Sequence, residues 1–369
     1  MADEKIKYYY RRMQDVKMPE GLLDPYGIFA EAEPKRHVLE RNPFKLADDD
    51  IFQHLCIIDD RIVGTSVVFP NKLLLDGKYY SSIIGNGLSV QKECRGKGIG
   101  SKLTDSRLDL SRTRSLVLCG SSQMQLPILK RLGAHIFLLP RMILLLHSFS
   151  VLESKLGAAL ARVLAPVVDV AFRLQQSWLK HKRRWILSRG FDVKELDVVP
   201  GAVEEIIAAD GARFRECHTA EWFNWIKDNN LVDDSRCRKR FYMAIDATGR
   251  PVGFFMTRQR FYEQASHRGF KNLMMGSVLE WGTADANVIS DNELCLLALT
   301  SFGSDVDAVE LCCTGEAMAA WFRRKGLVRV GDGNIVVRYR HDSLLASIEG
   351  IGDADNWRLR PAMGDNGLS

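Results

Sequence analysis

The chain has 369 residues, 46% of them hydrophobic and 26% charged, an ordinary globular composition that excludes a disordered chain. Lys+Arg 51 against Asp+Glu 46 leave a formal charge of only +5. That is too little for a dedicated nucleic-acid binder, and no alternation of aromatic and basic residues offers a stacking platform for single strands.

At roughly 150 residues per domain, the length predicts two domains. The start, MADEKIKYYYRRMQ, is too charged for a signal peptide, and no run of about 18 apolar residues predicts a spanning helix. Eight cysteines are scattered without CxxC pairs or nearby His ligands. They read as thiols in a reducing compartment, with no metal site, and the expected location is the cytoplasm.

The first elements are strands. Phe52–Asp59 and Ile62–Phe69 are apolar runs joined by a tight turn, and Lys72–Leu75 and Tyr79–Val90 follow, hinged at Asp76-Gly77. Asn86-Gly87 is a candidate bulge site, because glycine inside a strand often marks one. After a glycine-rich loop, Ile99, Leu103 and Leu110 mark one face of a helix from Gly98. A strand over Leu116–Cys119, a helix over Met124–Leu132 stopped at Gly133, and a strand over Ile136–Leu146 complete a first unit, residues 1–148.

Residues 149–192 read as a helical linker. Val151, Leu156, Leu160, Val163, Val167, Val170 and Leu174 fall on one broad apolar face; Lys155, Arg162, Asp169 and Gln176 recur every seven residues opposite it. Pro166 should kink or split the helix. A basic run, Lys180–Arg184, closes it. The first reading is a helix packed across both domains with its charged face solvated. The alternative is peripheral contact of 150–189 with an anionic membrane surface, which would place the protein at the inner membrane.

From 193 to 345 the first pattern returns. Asn42 stands 22 residues before Gly64 and Asn230 stands 23 before Gly253; Gly64 precedes Gly133 by 69 residues and Gly253 precedes Gly326 by 73. Hairpin Phe241–Phe255, long strand, helix, strand Val306–Cys312, helix and strand Asn334–Arg340 keep the order. This predicts an α/β (α+β) chain of two tandem copies, each a mixed, mostly antiparallel sheet flanked by helices. The tail, 346–369, contains Trp357, Arg358 and Arg360 without a regular period.

Chemistry concentrates in Arg95-Gly96-Lys97-Gly98-Ile99-Gly100-Ser101. Its glycines allow close backbone approach, and the unpaired N–H groups of a helix start attract a phosphate or pyrophosphate. It is neither a dinucleotide fingerprint nor a Walker loop. In this setting, after Leu88-Ser89-Val90, the chain resembles the GNAT superfamily of acyl-CoA-dependent N-acyltransferases. Its tandem form is similar to two-domain members such as mycothiol synthase and to GNAT proteins of bacterial surface-polysaccharide synthesis.

The resemblance implies that the loop amides hold the pyrophosphate of acetyl-CoA or another acyl-CoA. Leu88 and Val90 would pair with the pantetheine arm, and Ser122, where the family has Asn, would hydrogen-bond it. It also implies a small-molecule amine acceptor. The family's general-acid Tyr is Leu129 here and Phe322 in the second copy, and its strand Glu is Asn86. Asn86 can orient an amine or water but takes up no proton. Cys119, at a strand end near the expected thioester, reads as a buried thiol or as a nucleophile. Glu280, among apolar neighbours, reads as an internal ion pair or as an acceptor-binding group. His218, Trp222 and Trp225 share one helical face and read as core before ligand cage. The second copy lacks the glycine loop, reading GTADANVISDN from Gly282, so acyl-CoA is expected in the first copy only. Two alternatives stay open: an acyl carrier protein as donor, met by Lys97, Lys102 and Arg107, or a GNAT-fold binding protein without catalysis.

Overall fold

The structure, a computed structural model, describes residues 6–45, 51–109, 116–119, 125–230, 237–265, 270–339 and 347–362. The first half runs β1 (Ile6–Arg12), α1 (Glu33–Glu40), β2 (Ile51–Ile58), β3 (Arg61–Leu75), β4 (Lys78–Val90), α2 (Ile99–Asp109), β5 (Leu116–Cys119), α3 (Leu126–Arg131) and β6 (His135–Leu145). Helices α4 (Phe149–Leu156) and α5 (Ala158–Leu187) lead to β7 (Asp192–Leu196), α6 (Ala202–Ala209), β8 (Phe214–Glu216) and α7 (Ala220–Asp228). The second half continues through β9 (Cys237–Ile245), β10 (Pro251–Ala265), β11 (Phe270–Thr283), α8 (Asp291–Leu299), β12 (Ala308–Cys312), α9 (Glu316–Arg323) and β13 (Val328–Tyr339).

Turn chemistry sets the hairpins. Asp59 and Asp60 both have positive φ (49° and 59°), as do Asp76 and Gly77 (47° and 75°), the pairing that a two-residue type I′ turn requires. β3 is one 15-residue strand, where the sequence reads as two runs broken at Pro70. The β2 ladder ends at Val67, so Pro70 pairs only with Ile83 of β4 and forfeits no bond to β2.

The repeated glycines have physical roles. A Cβ on Gly64 would lie 3.3 Å from Leu103 of α2; one on Gly253 would lie 3.0 Å from Leu294 of α8. Each copy thus packs its helix directly on the backbone of its central hairpin. Gly133 and Gly326, after α3 and α9, take φ of +72° and +87° and end those helices.

Two mostly antiparallel halves make an α+β fold with one continuous strand order, β1-β2-β3-β4-β5-β13-β6-β12-β11-β10-β9-β7, and β8 pairs with β3. The halves interleave: β13 lies between β5 and β6, and β6 lies between β13 and β12. The strand expected to close the second copy therefore completes the first. The aromatic core is also shared, with Phe52, Phe69 and Ile84 in one cluster with Trp222, Phe223, Phe241 and Phe254. Trp222 and Trp225 are core residues, and Trp225 Nε1 donates to the Val38 carbonyl at 3.0 Å.

Two expectations are corrected. The helical segment breaks at Gly157, whose φ is +83°, whereas Pro166 sits within the continuous α5. The tail without a period is an internal strap: Trp357 is buried against Phe137 and Phe214, and Ala362 N–H donates to the Leu279 carbonyl at 2.7 Å.

Candidate functional site

The first copy opens its sheet beside α2. β4 pairs in parallel with β5 only over Ser82–Ile84. From Gly85 to Val90 its edge carries no ladder on that side among the described residues. On its other side, the register slips: Thr65 faces Ser89 but Val67 faces Asn86, so β4 holds one extra residue around Gly87, whose φ is +60°. A bulge at this point twists the strand and turns its amides away from a regular ladder.

The glycine loop follows directly. Gly96 and Gly98 have φ of +83° and +76°, and a Cβ on either would meet nothing within 4 Å. Glycine is needed here for backbone conformation, and the space above it is open. Gly98 precedes Ile99, the first residue of α2, so no N-cap side chain covers the N–H groups of Ile99, Gly100 and Ser101. Those donors and the helix dipole present positive potential to solvent. Lys97 and Lys102 are exposed, and Arg95, also exposed, donates from Nε to the Val90 carbonyl at 3.0 Å. Ile99 and Leu103 are buried and anchor the helix.

The second copy offers an internal comparison. Met256, three residues after Gly253, faces Glu280, as Val67, three after Gly64, faces Asn86. Glu280 is thus the counterpart of Asn86. Here both parts of the site are filled by the chain itself. Ser290 and Glu293 form a reciprocal capping box at the start of α8, with Asp291 in the same turn. Two carboxylates at that terminus repel an anion. The open edge of β11 is occupied by the tail, with Arg358 Nη2 and Arg360 Nε donating to the Trp281 carbonyl (2.6 and 3.2 Å) and Ala362 N–H to that of Leu279.

Glu280 is 0% exposed and meets Arg358 Nη2 at 2.7 Å, His218 Nδ1 at 3.2 Å and Arg360 Nε at 3.9 Å. Its acceptor-binding reading is corrected: no acceptor reaches a carboxylate enclosed this way, and the internal ion network is what the geometry shows. Burial pushes its carboxyl up, but the cations of Arg358, His218 and Arg360 prevail and hold it below the usual range. Burial pushes the His218 imidazole down, yet Glu216 and Glu280 outweigh it and raise it to about 9. His218 stacks on Trp222, with ring centroids 3.7 Å apart.

Other predicted residues fall as follows. Asn86 contributes its backbone at the bulge and Cys119 ends β5 beside Val336 of β13; the side chains of both, and all of Ser122, lie outside the described residues. Leu129 is buried against Val336. Arg107 is buried rather than available to a carrier protein, donating from Nε to Ser66 Oγ at 2.7 Å, with its guanidinium against Gly85. Burial and this guanidinium push neighbouring His54 down to about 3, so it stays neutral. Lys35 of α1 escaped the sequence reading; its Nζ lies 3.3 Å from where a Cβ on Gly87 would stand. Nothing in EPKRHVLE distinguishes it from a solvated helix face.

No family model and no curated protein matches the chain. Solved structures do. Saccharomyces cerevisiae N-myristoyltransferase with bound myristoyl-CoA matches over 78% of this chain and 70% of its own, at TM-score 0.50 and 13% identity. A GCN5-related N-acetyltransferase from Anabaena variabilis matches over 91% and 73%, at 0.51 and 8%. A probable N-acyltransferase of unknown function from Enterococcus faecalis matches over 91% and 73%, at 0.50 and 9%. The chain therefore has the GNAT-type acyltransferase fold.

Proposed function

We propose that this protein is an acyl-CoA-dependent N-acyltransferase with one donor site, in the first copy. The observation that carries the reading is the contrast between the copies. An open strand edge runs into an uncapped helix start at β4–α2, while the equivalent edge and helix start at β11–α8 are closed by the tail and by carboxylates.

The residues fit the donor. The N–H groups of Ile99, Gly100 and Ser101 would donate to the pyrophosphate oxygens, Lys97 and Lys102 would balance its charge, and the backbone of Leu88 and Val90 would pair with the pantetheine arm. Bound acyl-CoA supplies a thioester carbonyl, to which a primary amine forms a C–N bond as the C–S bond breaks and CoA leaves as its thiol. A backbone N–H of the bulge near Leu88 would stabilise charge on the carbonyl oxygen. Asn86 would orient the amine, and Lys35, whose Nζ lies beside Gly87, would add a cation near the bulge. Cys119 is the candidate nucleophile for a two-step route. The polysaccharide-type resemblance makes amino sugars the first acceptors to screen.

The test is release of CoA thiol from acetyl-CoA and from a long-chain acyl-CoA, with and without a panel of amines that includes amino sugars. Release that requires both an acyl-CoA and an amine is expected. No amine-dependent release from any acyl-CoA, in protein that melts cooperatively, would favour a binding protein that retains the fold.

A further inference from the structure

The second long feature of the molecule is the outer face of α5. Projected at about 100° per residue, the residues that contact the body fall on one side. Ala161, Ala165, Leu179 and Ile186 are buried. The polar residues on this side are hydrogen-bonded to the body: Asp169 Oδ1 accepts from Ser148 N–H at 2.8 Å, Gln176 Nε2 donates to the Leu146 carbonyl at 2.9 Å, and Arg183 Nη1 donates to that of Leu297 at 3.2 Å. The expected orientation is thus reversed, with small and hydrogen-bonding residues packed inward.

The apolar stripe faces outward. Leu160, Val163, Val167, Val170, Leu174 and Trp178 are all exposed, Val167 at 72% and Leu174 at 69%. With Leu164, which is also exposed, they span about 120° on the helical wheel, the width of a face that ordinarily seeks an apolar partner. Trp185 continues the stripe toward the end of α5, and Leu156 of α4, before the break at Gly157, is exposed as well. Arg162, Arg173, Lys180 and Arg184 are exposed along one flank. Lys182 and Lys325 lie 5.7 and 4.8 Å from the Trp178 ring. The two carboxylates of these helices, Glu153 and Asp169, are only partly exposed, and Asp169 is committed to Ser148.

We infer that α5 is a peripheral membrane anchor that lies in the surface of an anionic bilayer, with its apolar stripe in the acyl region and its cations against the headgroups. Charge selects this occupant. A second copy seated on the same stripe would bring cationic flanks together, whereas anionic lipid neutralises them. Trp178 and Trp185 hold the interfacial positions that indole rings favour. Among the described residues no helix is long and apolar enough to cross a membrane, so α5 would lie on the surface rather than span it.

The experiment is co-sedimentation of the full chain with vesicles of phosphatidylcholine alone and of phosphatidylcholine with about one-third phosphatidylglycerol. Tryptophan emission and light scattering are recorded alongside. The wild type should bind the anionic vesicles, shift its emission to the blue, and release at high salt. Val167→Glu with Leu174→Glu changes two exposed positions; it should keep the melting temperature and lose at least tenfold in partitioning. Lys180→Glu with Arg184→Glu should erase the preference for phosphatidylglycerol. The inference is overturned if the wild type binds anionic vesicles no better than the Val167→Glu/Leu174→Glu protein. It is equally overturned if the wild type is a dimer that this double variant dissociates, which would assign the stripe to a second copy.

Discussion

Glu280→Gln isolates the charge at the centre of the second copy while keeping the side chain's shape. In the wild type that carboxylate faces Arg358, Arg360 and His218 in a site closed to water. Removing one partner of a buried ion network costs about 3–5 kcal/mol, because the charges left behind stay desolvated. Each cation here keeps another acceptor: Asp210 for Arg358, Asp291 for Arg360 and Glu216 for His218. The lower end, about 3 kcal/mol, is therefore expected, a fall in melting temperature of roughly 4 °C for a cooperative unit of this length. Calorimetry at pH 7 reads this directly, with acyl-CoA affinity of the first copy measured on the same samples and expected unchanged. A variant that melts with the wild type but shows a raised KM for the amine would refute the reasoning and return Glu280 to the acceptor site.

Stability should also fall in alkali. With its folded-state value raised to about 9 against an ordinary 6.5, His218 contributes fully below pH 6.5 and loses that contribution as pH rises through 9. His218→Asn should be less stable at pH 6 and flatten the decline between pH 7 and about 9.5 in denaturant titrations; an unchanged profile would contradict the network. Gly253→Ala places a Cβ 3.0 Å from the Gly282 carbonyl oxygen and from Leu294, and should cost about 1–3 kcal/mol through overpacking. Gly201→Ala, with nothing within 4 Å, is the near-neutral control, and equal effects of the two on urea midpoints would count against the close helix–hairpin packing.

What was legible in the sequence follows from local physics. Asp76-Gly77 announces a type I′ turn because few other pairs take positive φ twice. The spaced glycines reveal the repeat because each sits where a side chain cannot: beneath Leu103 or Leu294, or at a left-handed helix end. The glycine loop is legible for the same reason. Pairing partners are not encoded locally, so nothing in His135–Leu145 or Val328–Tyr339 shows that these strands interleave. The tail hides because Trp357, Arg358 and Arg360 act through contacts with Phe137, Glu280 and Trp281 that lie far off in sequence. Periodicity finds the apolar face of α5 but not its direction. Ala161 and Ala165, with Asp169 and Gln176 paired to the body, supply an inner face that hydrophobicity alone ranks as the outer one.

The most direct test of a single donor site in the first copy is the melting temperature with and without acetyl-CoA or a long-chain acyl-CoA, for the wild type and for Gly98→Asp. At a hundred times its dissociation constant a ligand adds about 2.7 kcal/mol, a rise of several degrees. Gly98→Asp costs about 1 kcal/mol for a side chain at positive φ and puts a carboxylate at the start of α2, as Asp291 and Glu293 do at α8. A rise is expected for the wild type and none for Gly98→Asp. A wild type that melts cooperatively without a rise, or a variant that keeps it, would contradict the claim.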